Sequence, residues 1–564
     1  MRKLIECVPN FSEGRNMDII KQITDAIESV DGVKLLDVDP GAATNRTVVT
    51  IVGEPEPVMD AAILGMKKAK ELIDMSKHHG AHPRFGATDV CPLVPVANIT
   101  MEETVEYARQ LAKRAGEELD YPIYCYEFAA LSPERKNLAH VRSGEYEALE
   151  NKLKEKQWKP DFGPARFCPK SGATAISARN FLVAFNVNLN TTSTRRANAI
   201  AFDVRERGRV KRTGHPITGK PAIDENGEQI MIPGSLKSVK AIGWFIEEYG
   251  IAQISMNLTD ISITSVHEAY DEVFKKSLER GIRVSGSELV GVIPLDAMLK
   301  AGRYFLAKQN RSLGVSHEEL IKVAVKSMGL DDLKPFDPRK NIIEYLIEDG
   351  NEKKLIDMDL AAFADETASE SPAPGGGSIS AYVGALGISL GTMVANLSAH
   401  KPGANWEDQW EKFSEQAEKG QKLKDQLVHL VDEDTNAFNK IMDAIRLPKG
   451  SDTEKAARLQ AIEEASKYAI EVPFMVMEKS LASMDVIKAM AEYGNPNSVS
   501  DAGVGALCAR TAVMGAYLNV KINAADLEDK TYVDDILNRG AEIERKANEL
   551  EQEILKITNE KINK

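Results

Sequence analysis

Three of the nine histidines of this chain lie close together in residues 77–89 (KHHGAHPRFGATD), beside an arginine and an aspartate. The glycines and the proline of this segment disfavour a continuous helix and predict a turn-rich loop. Histidine has an ordinary pKa near neutrality, so a loop that combines it with a cation and a carboxylate predicts proton transfer. Two alternatives stay open. One is a solvated polar loop, and the other is a zinc site on the i, i+4 pair His78 and His82, which would require a helix there.

The composition limits the classes of protein to which the chain can belong. A chain of 564 residues is too long to form a single hydrophobic core, and its length predicts ~3 to 4 domain-sized units. A hydrophobic content of 43% and a charged content of 28% are typical of soluble globular proteins. The net charge of -14 argues against a general nucleic-acid binder, so any anionic substrate must meet a local cluster of Lys and Arg.

Cysteine usage and hydropathy favour a cytoplasmic location. The five cysteines are scattered without a CxxC pair, which argues against a disulfide framework or a structural zinc module, and the N-terminus lacks the apolar core of a signal peptide. Residues 379–400 contain no Lys, Arg, Asp or Glu and are long enough to span a bilayer, so a membrane helix is one interpretation. They are poor in Leu, Ile and Phe, and no second span accompanies them. We therefore predict a helix buried in a bundle or across a dimer interface.

Alternating strand and helix patterns predict an α/β fold for the N-terminal part. In a first subdomain, residues 1–178, strands are predicted at 3–8, 33–38 and 47–52 and helices at 17–30 and 57–73. Asn16 is the expected N-cap of the first helix, and Thr100 with Glu103 predicts a capping box. A second subdomain, residues 179–330, has predicted strands at 181–189, 240–244 and 252–258, helices at 199–207 and 267–280, and a Gly- and Pro-rich hairpin or insertion at 213–234.

The rest of the chain is predicted to be helical. Residues 331–354 have linker composition and lead into a domain at 355–564. Long helical patterns there, at 378–399, 406–443, 451–481, 497–519 and 534–557, predict an antiparallel bundle. The predicted fold is thus multidomain, with two N-terminal α/β sandwich subdomains and a C-terminal all-α bundle.

Polar residues at strand ends are further candidates for chemistry in the α/β part. Asp39 closes one predicted strand, and Arg46 opens the next. The basic, Gly- and Pro-rich loop at 161–173 suits an extended, flat ligand with an anionic tail. Ordinary turns and a surface connection explain the same residues equally well.

Two features of the helical part could carry chemistry. A Gly-rich stretch, residues 371–378 (SPAPGGGS), precedes a predicted helix whose N-terminus could bind an anion, although a linker explains the stretch equally simply. Asp434 lies within another predicted helix, one turn from Leu430 and from Phe438, so its side chain can face inward. Burial would raise its pKa and suit it to general acid catalysis, whereas most acidic runs form a solvated face.

The N-terminal part resembles the glutamate formimidoyltransferase family over about residues 1–330. The matching stretches, in order, are residues 6–15 (ECVPNFSEGR), 36–39 (LDVD), 44–47 (TNRT), 80–92 (GAHPRFGATDVCP), 163–172 and 184–189 (AFNVNL). That family transfers a formimidoyl group from N-formimidoyl-L-glutamate to N5 of tetrahydrofolate.

The resemblance implies roles for individual residues of the N-terminal part. His82 matches the acid/base histidine of the family, and Asp39 matches a carboxylate beside the reaction centre. The resemblance assigns folate binding to one continuous stretch: Gly163, Pro164, Ala165, Arg166, Phe167, Cys168, Pro169, Lys170, Ser171 and Gly172. Arginines such as Arg46 or Arg84 could hold the carboxylates of the donor in bidentate pairs.

The helical part resembles the formimidoyltetrahydrofolate cyclodeaminase family over about residues 355–560. The matching stretches are residues 371–378, 430–438 (LVDEDTNAF), 446–449 (RLPK), 494–502 (GNPNSVSDA) and 516–523 (AYLNVKIN). That family closes the ring to 5,10-methenyltetrahydrofolate and releases ammonia. The resemblance implies that Asp434 protonates the leaving nitrogen, with Asp432 as the less favoured candidate. It also implies that Arg446 and Lys449 contact folate carboxylates.

As a whole, the chain resembles the bifunctional enzymes that join both steps in histidine degradation. The resemblance implies that tetrahydrofolate, carrying a polyglutamate tail, is a substrate in both steps, with no metal and no tightly bound cofactor. It also implies a dimer through the helical domain and a larger ring-shaped octamer. Two alternatives stay open for the helical half: a methenyltetrahydrofolate cyclohydrolase, and a non-catalytic scaffold for folate binding or oligomerisation.

Overall fold

The computed structural model describes residues 3–42, 45–80, 84–214, 219–347, 354–399, 409–525 and 527–563. The chain divides into two compact units. The first contains residues 1–301 and 325–348, and the second contains residues 302–324 and 349–564. The segment 302–324 therefore belongs to the second unit although it precedes the predicted linker. Within that unit, the backbone N–H of Leu313 donates to Ser414 Oγ at 2.9 Å, and Asn396 Nδ2 donates to the carbonyl of Gly314 at 2.9 Å.

A seven-stranded mixed sheet organises the first α/β subdomain. Its strands are β1 (Leu4–Cys7), β2 (Asn10–Phe11), β3 (Val33–Gly41), β4 (Arg46–Gly53), β5 (Thr88–Ala97), β6 (Ile123–Glu127) and β7 (Thr174–Ala178). The order is β1-β4-β2-β5-β7-β6, with β3 paired to β4 and a further pairing between β1 and β5. β7 runs parallel to β5 and to β6, whereas the other pairs are antiparallel.

Helices cover both faces of this sheet. The larger core lies under α1 (Met17–Glu28), α2 (Pro55–Leu72) and α3 (Met101–Leu119), and a smaller core on the strands includes residues of α4 (Leu138–Val141) and α5 (Glu145–Lys152). The predicted caps are confirmed. The Asn16 side chain accepts hydrogen bonds at the start of α1, and Thr100 with Glu103 forms a capping box at the start of α3.

The second α/β subdomain contains a four-stranded antiparallel sheet in the order β13-β14-β8-β15. Its elements in chain order are β8 (Val183–Leu189), α6 (Thr194–Val204), β9 (Arg209–Val210), β10 (Arg212–Thr213), β11 (Lys220–Pro221), β12 (Met231–Ile232), β13 (Val239–Ile246), β14 (Ile251–Leu258), α7 (Val266–Leu278) and β15 (Val284–Val290). β10 pairs with β11 and β12 with β9, which confirms the predicted hairpin; residues 215–218 lie outside the described residues. Helix α6 begins earlier than predicted because the Ser193 side chain caps it.

The remaining elements are helical. They are α8 (Leu295–Lys308), α9 (His317–Met328), α10 (Pro338–Asn341), α11 (Ile343–Ile347), α12 (Leu360–Thr367), α13 (Gly376–Ala399), α14 (Trp410–Arg446), α15 (Asp452–Tyr493), α16 (Val499–Ala524) and α17 (Lys530–Ile562). Helices α13 to α17 pack as a bundle, which confirms the predicted all-α fold. Helix α15 continues beyond its predicted end because Met484, Ile487 and Met490 keep burying apolar side chains until Gly494.

The charge-free helix α13 lies inside this bundle. By length and composition it is the one described helix that could cross a membrane, yet 61% of its most apolar window is buried. Its glycines allow close helix packing. A Cβ on Gly387 would lie 2.9 Å from the carbonyl oxygen of Gly505 on α16, and a Cβ on Gly505 would lie 2.8 Å from that of Gly387. The burial of α13 therefore agrees with the prediction of a core helix.

Candidate active sites

The stretch predicted to bind folate, residues 163–172, lies against both flanks of the histidine-rich segment. The N–H of Met75 donates to the carbonyl of Lys170 at 3.0 Å, and that of Ala87 donates to the carbonyl of Ser171 at 2.8 Å. The N–H of Ala173 donates to the carbonyl of Phe85 at 3.1 Å. The structure therefore brings these two sequence motifs together. His82 itself lies outside the described residues, between these anchored flanks.

Glycines fix both ends of the stretch that is predicted to bind folate. Gly163 and Gly172 have φ values of +75° and +65°, and a Cβ on Gly172 would lie 2.8 Å from the Cα of Gly86. Between them the loop is open to solvent at the following residues: Ala165, Arg166, Pro169 and Lys170. The ring of Phe167 packs on Tyr146 with centroids 5.5 Å apart. The loop thus has rigid ends and an exposed middle, which suits contact with an extended ligand.

Asn45 connects three segments around this region. Its Oδ1 accepts from the N–H of Gly14 at 3.0 Å, and its Nδ2 donates to the carbonyl of His79 at 3.0 Å. His78 Nε2 lies 2.7 Å from the Asn45 carbonyl and donates to it. Asn45 adopts a left-handed backbone with φ of 51°, a conformation in which Asn is enriched. Sequence inspection alone did not identify this role for Asn45.

The first histidine of the pair considered for zinc, His78, lies within the described residues. His78 is buried, and burial lowers its pKa, so its imidazole is neutral at pH 7. Residues 75–77 form a short 3-10 helix, and His78 to Gly80 continue without helix. Among the described residues there is no group of three or more His, Cys, Asp or Glu side chains that could hold a metal ion.

A buried ion pair lies at the end of the histidine-rich segment. Asp89, 1% exposed, forms a salt bridge with Arg142, a residue that the sequence analysis did not single out. Burial raises the pKa of Asp89 to about 6, although Arg142 and Arg46 oppose the rise. Arg46 is half-buried. Burial lowers its pKa, and the negative charges of Asp89 and Asp39 oppose this change. Asp39 is exposed on β3, opposite Val48.

Arg84, one of the two arginines considered for the donor carboxylates, already has protein partners. Its guanidinium forms an ion pair with Glu147, donates to the carbonyl of His78 and lies 5.9 Å from the ring centroid of Tyr146. Because these contacts hold the guanidinium, Arg84 is better suited to positioning the loop than to binding a ligand. The assignment of Arg46 to substrate carboxylates stays a prediction.

In the helical unit, the side chain of Asp434, a residue of α14, lies beside the first turn of α13. The N–H and the Oγ of Ser378 both donate to Asp434 Oδ2, at 2.9 and 3.0 Å. Burial raises the pKa of Asp434, and the hydrogen bonds from Ser378 oppose the rise. Gly377 leaves room for this carboxylate, because a Cβ there would lie 2.5 Å from its Cγ. The Gly-rich stretch and Asp434, identified separately in the sequence, thus form one site.

The neighbouring carboxylate, Asp432, has a different role. Its Oδ1 accepts from the backbone N–H of Leu355 at 2.7 Å and so ties the beginning of the helical domain to α14. Arg446 lies twelve residues from Asp434 on the same helix, a rise of about 18 Å. Its side chain is 74% exposed and pairs with Asp443. Arg446 therefore lies more than three helical turns from Asp434, and the folate contact of Lys449, which lies beyond the end of α14, stays a prediction.

Family models cover nearly the whole chain. The model described as "Formiminotransferase domain, N-terminal subdomain" matches residues 4–179, "Formiminotransferase domain" matches residues 184–348, and "Formiminotransferase-cyclodeaminase" matches residues 359–542. These three matches cover the first α/β subdomain, the second subdomain with the segment that follows it, and most of the helical bundle.

Individual relatives match either the whole chain or one part of it. A formimidoyltransferase-cyclodeaminase from Dictyostelium discoideum is 42% identical over 560 residues, which are 99% of each chain. A glutamate formimidoyltransferase from Streptococcus pyogenes serotype M1 is 41% identical over 54% of this chain and 94% of its own. A methenyltetrahydrofolate cyclohydrolase from Methylorubrum extorquens is 35% identical over 36% of this chain and 97% of its own. The chain therefore belongs to the formimidoyltransferase-cyclodeaminase family.

Proposed function

We propose that this protein is a bifunctional folate enzyme of histidine degradation. Its α/β part transfers the formimidoyl group of N-formimidoyl-L-glutamate to N5 of tetrahydrofolate. Its helical part then cyclises 5-formimidoyltetrahydrofolate to 5,10-methenyltetrahydrofolate and releases ammonia. The observation that carries this proposal is the 42% identity to a bifunctional relative over 99% of both chains.

Transfer requires a proton acceptor and a proton donor at one centre. N5 loses a proton as it attacks the formimidoyl carbon, and the glutamate nitrogen gains one as the bond to that carbon breaks. A histidine that titrates near neutrality can do both in turn, which is the role proposed for His82. We assign folate contact to residues 163–172, whose exposed middle lies beside the anchored flanks of His82. We assign the binding of substrate carboxylates to Arg46, whose charged form is stabilised by the negative charge of Asp39.

Cyclisation requires an acid. N10 attacks the formimidoyl carbon, the bond from that carbon to the exocyclic nitrogen breaks, and the nitrogen leaves as ammonia once it is protonated. We assign this proton to Asp434, because burial raises its pKa and keeps it protonated to higher pH than an exposed aspartate. Ser378 holds the carboxyl group in place, so its orientation is fixed before substrate binds.

A second candidate function applies to the helical half alone. The 35% identity to a methenyltetrahydrofolate cyclohydrolase favours hydrolysis of the methenyl product to formyltetrahydrofolate. The two reactions differ in whether ammonia leaves. Purified protein supplied with formimidoylglutamate and tetrahydrofolate would be followed for methenyltetrahydrofolate absorbance and for ammonia together. Parallel release of both supports the bifunctional enzyme. Accumulation of formimidoyltetrahydrofolate without ammonia would leave only the transferase.

We further propose a cytoplasmic enzyme that uses tetrahydrofolate as substrate and binds no cofactor tightly. The five cysteines are free thiols, which a reducing compartment maintains.

We also propose a dimer through the helical domain, with a ring-shaped octamer as the larger assembly. Two helices that pack together, α13 and α16, expose large apolar side chains: Leu386, Met393, Leu397, Val504, Leu507, Leu518 and Ile522. Such a surface marks an interface between copies of a chain. Light scattering on wild type and on Leu507→Lys tests this, because a lysine in the interface would lower the measured mass. An unchanged mass would place the interface elsewhere.

A further inference from the structure

The side-chain amide of Asn519, a residue of α16, lies beside the site around Asp434. A Cβ on Gly376 would lie 3.3 Å from Asn519 Nδ2 and 3.7 Å from its Oδ1. A Cβ on the next residue, Gly377, would lie 2.5 Å from Asp434 Cγ. The first turn of α13 therefore has an amide from α16 and a carboxylate from α14 against two consecutive glycines.

Close packing of α16 on α13 fixes the position of this amide. Gly515 lies one turn before Asn519, and a Cβ on Gly515 would lie 2.5 Å from Ser380 Oγ. Ser380 is buried, and its hydroxyl donates to the carbonyl of Gly376 at 2.7 Å. Because the space between the two helices is filled at this point, a side chain at residue 515 would displace α16 from the first turn of α13.

A hydrogen bond within α16 determines which end of the amide is available. Asn519 Nδ2 donates to the carbonyl of Gly515 at 2.9 Å, and the reversed amide would place two acceptor oxygens against each other. Asn519 Oδ1 accepts no hydrogen bond from the part of the chain that the structure describes, and Ser378 donates only to Oδ2 of Asp434. Both Asn519 and Asp434 are partly exposed, so a ligand can reach them. The site thus presents an amide oxygen beside a carboxyl group.

The nitrogen that leaves during cyclisation carries N–H bonds throughout the reaction. It begins as the NH2 group of a protonated formimidoyl substituent. N10 forms a bond to the formimidoyl carbon, and the bond from that carbon to the nitrogen breaks as NH3 departs. Asp434 gives the nitrogen its third proton, and the proton that N10 loses restores the acid form of Asp434. One carboxyl group contacts only part of an NH2 or NH3 group, so the remaining N–H needs a second acceptor where water is displaced.

We propose that Asn519 Oδ1 is this second acceptor and holds the departing nitrogen against Asp434. The inference rests on the proposed function, because it adds a residue to the cyclisation site. An amide oxygen does not take up a proton near neutral pH, and its hydrogen bond strengthens as the nitrogen gains positive charge. The contact also discriminates between substrates. A 5-formyl group has a carbonyl oxygen in place of the nitrogen and would place a second acceptor against Asn519 Oδ1, so the site favours formimidoyl over formyl.

The test compares two ligands that differ at this one atom. 5-Formimidoyltetrahydrofolate is the substrate, and 5-formyltetrahydrofolate, which cannot release ammonia, is the probe and is measured as a competitive inhibitor. In the full-length protein, Asn519→Ala should lower kcat for cyclisation by about 10- to 100-fold, as the loss of a hydrogen bond to a charged group predicts. Its inhibition constant for 5-formyltetrahydrofolate should not rise, because an unfavourable contact is removed. General damage to the site would weaken both ligands together.

A second variant tests whether the two side chains are close together. Asn519→Asp keeps an acceptor oxygen but places a second carboxylate beside Asp434, which raises the pKa of Asp434. The decline of cyclisation with rising pH should therefore move to higher pH than in wild type. An unshifted profile would show that residue 519 is too remote to act on Asp434 and would overturn the proposal.

Asn548→Ala is the matched control. Asn548 Oδ1 accepts from Arg510 Nε at 3.1 Å, so this variant also removes a hydrogen bond of α16, but nine residues or about 14 Å from Asn519. An equal loss of cyclisation in the control, a parallel loss of both ligands in Asn519→Ala, or an unchanged kcat there would overturn the proposal. If wild type releases no ammonia yet binds 5-formyltetrahydrofolate more weakly than Asn519→Ala does, the proposed function fails while the contact of Asn519 with the N5 substituent stands.

Discussion

Replacement of Gly377 by alanine tests whether the geometry around Asp434 is catalytic. The added Cβ would lie 2.5 Å from Asp434 Cγ and still closer to its Oδ1, whereas ordinary contact begins at 3.4 Å, so the carboxyl carbon must move by at least about 0.9 Å. That shift breaks the two hydrogen bonds from Ser378. Misplacement of a catalytic group by about 1 Å can cost about 100-fold in rate, so cyclisation should fall by about that factor.

The backbone should tolerate this change. Gly377 lies in the first turn of α13, where alanine is the better helix former by roughly 0.5 to 1 kcal/mol. Cyclisation would be followed as methenyltetrahydrofolate and ammonia formed from supplied 5-formimidoyltetrahydrofolate, with transfer measured separately. Gly375→Ala is the matched control, because a Cβ there would meet only the carbonyl oxygen of Pro372, at 3.8 Å. Wild-type cyclisation in Gly377→Ala, or an equal loss in Gly375→Ala, would refute the reasoning.

Substitutions at four further residues separate the two sites and probe the buried groups. His82→Ala should abolish transfer and spare cyclisation of supplied intermediate; a normal transfer rate would exclude the assigned role. Asp434→Asn should do the reverse, and wild-type cyclisation should decline as pH rises through the raised pKa of Asp434, since the proton that it donates is lost; a flat pH profile would contradict this. Burial raises the pKa of Glu6 from 4.5 to about 7. Between these two pH values the folded state retains a proton that the unfolded state has released. The free energy of unfolding should therefore fall by up to ~3 kcal/mol as the pH rises through this range. Glu6→Gln should remove that loss, which thermal unfolding at pH 5 and 8 measures. An equal response of both proteins would contradict this. Asn45→Ala should lower transfer more than Asn45→Gly does, because alanine adds strain at positive φ to the loss of both side-chain hydrogen bonds; equal rates would show that the strain has no effect.

Local signals in the sequence predicted much of the fold. The Asn16 cap and the capping box at Thr100 are short-range patterns, and the structure confirms them. The all-α bundle was predicted from long stretches of helical periodicity, because apolar residues recur about once per turn where one face of a helix is buried. The inward position of Asp434 was predicted from its spacing to Leu430 and to Phe438; Leu430 is buried, whereas Phe438 is 46% exposed. The absence of charged residues from 379–400 correctly predicted a core helix.

Contacts between distant parts of the chain could not be predicted in this way. β5 pairs in parallel with β7, so Val90 meets Ala175 across a long separation in sequence. Nothing local marks Arg142 as the partner of Asp89, because an ion pair between remote segments leaves no periodic pattern. The separation of Arg446 from Asp434 follows from the geometry of α14, but the helix predicted at 406–443 stopped before Arg446.

The segment 302–324 determines how the two activities can be taken apart. Monofunctional relatives of the α/β part span about half of this chain, which suggests a simple cut at the predicted linker. A fragment that begins there would lose Leu313 and Gly314, the partners of Ser414 and Asn396. One that begins after Leu355 would also remove the backbone N–H of Leu355 that donates to the Asp432 carboxylate. Expression of the helical half alone therefore removes part of its own packing surface, and substitutions in the full-length chain are the safer way to silence one activity.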